Sequence, residues 1–129
     1  MATLADRLAA VLAGVLTVDA EPDGALTVRH DGTLASLRVV PIADDLELVS
    51  LTQILGWDLP LTMTLRQRAA EQADLSQLGT VTLVEKDAES ADAMLRYNFP
   101  GTGLTDDALR TLVLLVLAKG ADIRGVLTG

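Results

Sequence analysis

Leu4, Leu8, Val11, Leu12, Val15 and Leu16 recur at the spacing of one helical face. Thr3 stands where a cap is favoured, and Asp6 falls in the first turn, near the positive end of the helix dipole. The pattern predicts an amphipathic helix over about residues 3–16, followed by an acidic, turn-rich connection, Asp19–Gly24. Leu26–His30 and Thr33–Val40 then flank Asp31-Gly32, a favoured two-residue hairpin turn. Closing the hairpin there opposes His30 to Thr33, Val28 to Ala35 and Leu26 to Leu37. In that register Leu26, Val28, Ala35, Leu37 and Val39 share one face, while Thr27, Arg29, Ser36 and Arg38 share the other.

After a turn at Pro41–Asp45, Leu46–Ile54 reads as a third strand, ended by Gly56–Pro60. Its alternation breaks at Leu48-Val49, as at a bulge or in a strand buried on both faces. Leu61–Leu78 reads as a second helix with Thr62 or Thr64 as cap, an alanine-rich apolar side, and Gly79 as its stop. Thr80–Lys86 and Ala93–Phe99 read as two further strands around a polar loop, Asp87–Asp92. In the second, Leu95, Tyr97 and Phe99 share one face, and Met94, Arg96 and Asn98 the other. After the turn Pro100–Gly103, Thr105 caps a third helix that is apolar nearly all round, with Gly120 as its expected end and residues 121–129 as a short helical extension or a frayed tail. The expectation is a single α+β domain over residues 1–129. It has a five-stranded antiparallel sheet packed with three helices, in the order α-β-β-β-α-β-β-α.

Composition narrows the chemistry. The 129 residues are half apolar but include only Trp57, Tyr97 and Phe99 as aromatics, so the core is aliphatic. A net charge of -8 disfavours nucleic-acid binding. With no cysteine and one histidine, disulfides, thiolate zinc sites, cysteine nucleophiles and a multi-histidine metal site within one chain are excluded. Asp6 and Arg7 interrupt the N-terminal apolar stretch, and the longest apolar run, Leu112–Ala118, falls far short of the ~20 residues of a membrane span. The expectation is a cytoplasmic protein with no membrane partner.

Candidate catalytic and ligand sites have plainer readings. His30 beside Asp31 lacks a serine in a nucleophile pattern and reads as a turn residue. Asp44-Asp45 lacks calcium-loop spacing and reads as a turn, while Asp106-Asp107 reads as a helix start. Pro100-Gly101-Thr102-Gly103 lacks the Lys-Ser/Thr of a phosphate loop. Arg29, Arg38, Arg66 and Arg68 read as scattered surface charges against eighteen acids. No catalytic residue, cofactor or metal is expected. Trp57, next to Gly56 and near Pro60 at a strand end, is a candidate interface residue, with Leu65, Ala69 and Ala73 on the small-residue side of the second helix.

The element order and the C-terminal third resemble the YbjN-type family of bacterial proteins, which share the fold of type III secretion chaperones. In residues the similarity is strongest over Thr80–Leu117: TVTLVEK, an acidic loop, AMLRYNFP ending in proline, and the capped helix LTDDALRTLVLLVLA. The region around Trp57 and Pro60 departs from the pattern. The resemblance implies a non-enzymatic, homodimeric protein-binding module, chaperone-like or regulatory, with an unidentified protein client. The overall acidity suggests basic or amphipathic clients. The alternatives are a structural homo-oligomeric domain in a larger assembly, or a small ligand-binding domain or enzyme.

Overall fold

The computed structural model describes residues 2–129, which form three helices and six strands. In chain order these are α1 (Leu4–Ala13), β1 (Thr17–Ala20), β2 (Leu26–His30), β3 (Thr33–Ala43) and β4 (Leu46–Pro60). They continue with α2 (Met63–Leu75), β5 (Thr80–Glu85), β6 (Ser90–Pro100) and α3 (Asp106–Thr128). The α+β class with an antiparallel sheet matches the expectation, but the sheet has six strands rather than five, in the spatial order β1-β2-β3-β4-β6-β5. The element order therefore carries one strand more than the expected α-β-β-β-α-β-β-α.

The additional strand is β1. The sequence pattern assigns its neighbourhood to a helix end and an acidic connection, because TVDA offers only one large apolar side chain, Val18. Gly14 ends α1 a turn earlier than predicted, its N–H bonding the Leu12 carbonyl. The next residues then pair with β2, Val18 opposite Val28. The β2–β3 hairpin has the register derived from the sequence, from His30↔Thr33 to Leu26↔Leu37. Asp31 (φ 44) and Gly32 (φ 79) both lie in the left-handed region that a tight hairpin turn demands. Asp44-Asp45 turns the chain between β3 and β4, with Asp45 at φ 62.

β4 runs on through residues read as its terminator, because two register shifts absorb them. Leu55 is an extra residue between Ile54↔Met94 and Gly56↔Ala93. Trp57 and Asp58 together then oppose the single Asp92 before Leu59↔Ala91 restores pairing.

One face of the sheet is buried. Val28, Leu37, Val49, Leu51, Ala93 and Leu95 on that face join Leu8 and Leu12 of α1, Leu65 and Ala69 of α2, and Leu109, Val113 and Leu117 of α3 in one core. Thr3, Thr62 and Thr105 cap the three helices, each accepting a backbone N–H on its hydroxyl. Arg7 ties α1 to the start of α3 through Asp106 and the Leu104 carbonyl.

Gly120 does not stop α3, which continues to Thr128. Its missing side chain serves packing instead. A Cβ there would lie 1.9 Å from Oε1 of Gln53, which is fully buried in β4. The Gln53 amide donates to Thr33 Oγ1 (2.8 Å) and to the Leu117 carbonyl (3.1 Å), and the Thr33 hydroxyl donates to the His30 carbonyl (2.6 Å). A polar side chain thus fastens the longest helix to β4, where the helix backbone comes close at Leu117 and Gly120. No helix of the described residues is long and apolar enough to cross a membrane.

Candidate functional site

Among the described residues no helix covers the second face of the sheet, since the buried residues of all three pack on the first. Side chains alternate along each strand, so the residues between the core positions all project to this side. Across the strands they form rungs set by the register. One rung runs Asp19, Thr27, Ser36, Thr52, Arg96, Thr80. The next runs Thr17, Arg29, Leu34, Ile54, Met94, Thr82. On the other side of the first lie Arg38, Ser50 and Asn98, and beyond them Val40 and Leu48. All of these side chains are exposed or half-buried. The face is therefore a field of hydroxyls, an amide and arginines, crossed by the apolar row Leu34–Ile54–Met94.

Its charges are distributed unevenly. Toward β1 the arginines are paired: Arg29 with Asp19 (3.7 Å) and Arg38 with Asp23 (2.5 Å). The guanidinium of Arg38, together with the Ala25 N–H, holds the Asp23 carboxyl below the usual aspartate range. Arg96, on β6 beside the edge strand β5, has no ion pair and its guanidinium no hydrogen bond among the described residues.

The far end of the face is built by the β4 bulge. Asp58 adopts φ 51, and its N–H donates to the carboxylate of Asp92 (2.9 Å), which has the open-face parity of β6 yet is buried. Lys86 bridges Asp58 (2.8 Å) and Asp92 (3.3 Å), and the Asp58 carboxylate chiefly raises its pKa. The same ammonium lies 5.7 Å from the centroid of the Trp57 ring. Trp57 is held by this cluster while remaining 56% exposed.

The four residues singled out in the sequence do not form one surface. Leu65 and Ala69 point into the protein's own core, because α2 needs them to pack on the sheet. Ala73 is exposed on α2, and Trp57 stands at the end of the open face. The residues missed were Arg96 and the hydroxyls around it. Their signal was present in the polar faces of the β2–β3 hairpin and of AMLRYNF. What could not be read was that these polar faces line up on one side with all helices on the other. His30 ends β2 as a turn residue, its Nε2 3.6 Å from Asp31. Asp106-Asp107 begins α3, and residues 101–103 form the turn before it. Among the described residues no group of three or more histidine, aspartate or glutamate side chains is arranged to hold a metal.

Other depressions are open to solvent. One lies between the end of α2 and α3, floored by Leu75, Leu78, Leu115 and Ala118 with Lys119 and Asp122 at its rim. Comparison with protein families, with curated proteins and with solved structures finds no match to the chain, so the YbjN-type resemblance rests on the residue pattern alone.

Proposed function

We propose that the chain is a non-enzymatic protein-binding module, chaperone-like or regulatory, that works as a homodimer in the cytoplasm with neither nucleic acid nor membrane as partner. The observation that carries this reading is the one-sided layering. Three helices bury one face of a six-stranded sheet and leave the other to solvent, with Leu34, Ile54 and Met94 half-buried in its middle and Trp57 exposed at its end. Six strands at ~4.8 Å spacing make the face about 24 Å across. Over four rungs that is on the order of 500 Å², approaching the ~800 Å² each partner contributes to a standard interface. Such a face is a broad sheet surface, with open depressions at its margins beside Arg29 and Leu34 and beside Arg38 and Val40, a shape that suits a polypeptide better than an enclosed small molecule.

The homodimer has its own support. β5 ends the sheet with no strand on its outer side, whereas the opposite edge, β1, has only four residues and includes Asp19. Ala70 and Ala73 lie on the flank of α2 that carries Arg66, whose guanidinium reaches Glu85 of β5 at 2.6 Å. A second copy related by a two-fold axis would pair β5 with β5 and bring these alanines together, and small side chains permit that approach.

Two measurements test the reading. Sedimentation at micromolar concentration is expected to give twice the 13.6 kDa chain mass, and Ala73→Glu to return it to the single chain. A photocrosslinking phenylalanine in place of Trp57 is expected to capture one discrete protein in the source cell, absent when the crosslinker replaces exposed Glu71. Adducts of the chain with itself alone would favour the structural homo-oligomer instead. No adduct at all contradicts the binding module.

A further inference from the structure

We infer that the open face receives an acidic, apolar-flanked polypeptide segment, with a partner carboxylate seated on Arg96. This rests on the protein-binding reading and names the chemistry of the partner.

Arg96 is the exception among the eight arginines. The others are engaged, on carboxylates as in Arg38–Asp23 and Arg66–Glu85, or on carbonyls as in Arg68–Gly129 and Arg124–Gly32. Arg68 and Arg124 also lack a carboxylate partner, but of the arginines without one only Arg96 has no carbonyl acceptor either among the described residues. Thr52 and Thr80 flank Arg96 across the strands, and Met94 and Asn98 precede and follow it on the same face. None of these neighbours accepts the guanidinium's charge. The nearest acid along the strand on this side, Asp92, is taken up by Lys86 and the Asp58 N–H. A guanidinium offers a planar fork of donors that matches a carboxylate in two parallel bonds.

The surroundings favour a polypeptide over other anions. Along an extended strand, alternate residues lie roughly 6.7 Å apart, which is also the separation of neighbouring rungs. An extended segment with an acid at one position and an apolar residue two positions on would meet Arg96 and the Leu34–Ile54–Met94 row together. A nucleic-acid backbone needs several free cations in line, and here one stands alone in a chain of net charge -8. The overall charge points to basic clients, but it acts at long range and is screened within about 8–10 Å at physiological salt. Contact chemistry is set by the local groups, and at this place they are donors.

The test uses the ¹⁵N-labelled full chain and two nine-residue synthetic peptides. In both, every second residue is by turns apolar and either Glu or Lys, with serine between, so that the charged residue and the apolar residue two positions on share one face. Inorganic phosphate is a third probe. The Glu peptide is expected to shift the amide signals of Thr52, Thr80 and Arg96, and the Lys peptide to leave them in place. Arg96→Gln is expected to weaken the Glu peptide at least about 10-fold, the scale of one charge-assisted hydrogen bond, and Arg96→Lys by less. Because Arg96 is exposed, both variants should keep the parent's thermal midpoint, which confirms that they fold.

Equal binding of the Lys peptide, or full binding by Arg96→Gln, overturns the inference. Phosphate moving the same signals at comparable concentration overturns it in favour of a phosphate-bearing ligand. Shifts confined to the Leu75–Leu115 depression overturn it while leaving the protein-binding reading intact. Silence from both peptides overturns it as well, and the crosslink at position 57 then decides whether the broader reading falls with it.

Discussion

Gln53 and Gly120 show how one residue pair can fix the seating of a helix. Gln53 is fully buried and spends its amide protons on Thr33 and Leu117, while its Oε1 has no hydrogen-bond partner among the described residues. That oxygen faces the bare Cα of Gly120. In an exposed helix, Gly→Ala would stabilise by up to about 1 kcal/mol. Here the new methyl collides with a buried amide, so Gly120→Ala is expected to destabilise by about 1–3 kcal/mol, the usual range for overpacking. Chemical denaturation of Gly120→Ala, Gln53→Ala and the double variant checks this. The double variant is expected to be more stable than the sum of the two single losses implies, because removing the amide frees the space. Strict additivity would mean that the two residues do not meet.

At the scale of elements, the β5–β6 hairpin depends on Asp87. Its carboxylate accepts the N–H groups of Glu89 and Ser90, each at 2.8 Å, and these bonds hold its pKa below the usual aspartate range. A depressed carboxylate stabilises the fold above the ordinary value near 3.9, and that contribution is lost as pH falls through the lower folded value. The Glu89 and Ser90 amide signals are therefore expected to titrate with a midpoint below about 3.9, and Asp87→Asn to abolish the step. A midpoint at or above the ordinary value would show that the turn is not held this way. The sequence alone suggested a loop over Asp87–Asp92 and missed that pairing resumes at Ser90, since DAESAD has no apolar alternation. The β2–β3 hairpin was legible down to its register, because Asp-Gly dictates the turn and the two faces differ in polarity. β1 was not legible, since in its four residues only Val18 and the small Ala20 share the inward side. The extension of β4 was hidden because Gly56 and Pro60 are also terminators, and only pairing with β6 shows them as residues around a bulge.

At the scale of the molecule, the decisive feature is which side each helix takes. All three choose the face of Val28, Leu51 and Leu95, and the opposite face stays uncovered. No local pattern dictates this: the polar alternation of each strand permits a solvent-facing side, but only the assembled sheet shows that six such sides are continuous. The candidate site was accordingly half visible. Trp57 lies at the end of the face, Leu65 and Ala69 are core, and Arg96, legible as a residue on the polar face of its strand, carries no mark of a site in the sequence. Thiol labelling tests the open face most directly, since the chain has no cysteine to interfere. Asn98→Cys places a thiol on that face, Met63→Cys one at a position 87% exposed, and Ala93→Cys one at a position with no exposure. A maleimide is expected to react with the cysteine at 98 at about the rate seen at 63. A rate as slow as at 93 would mean that the face is covered, and would contradict the account.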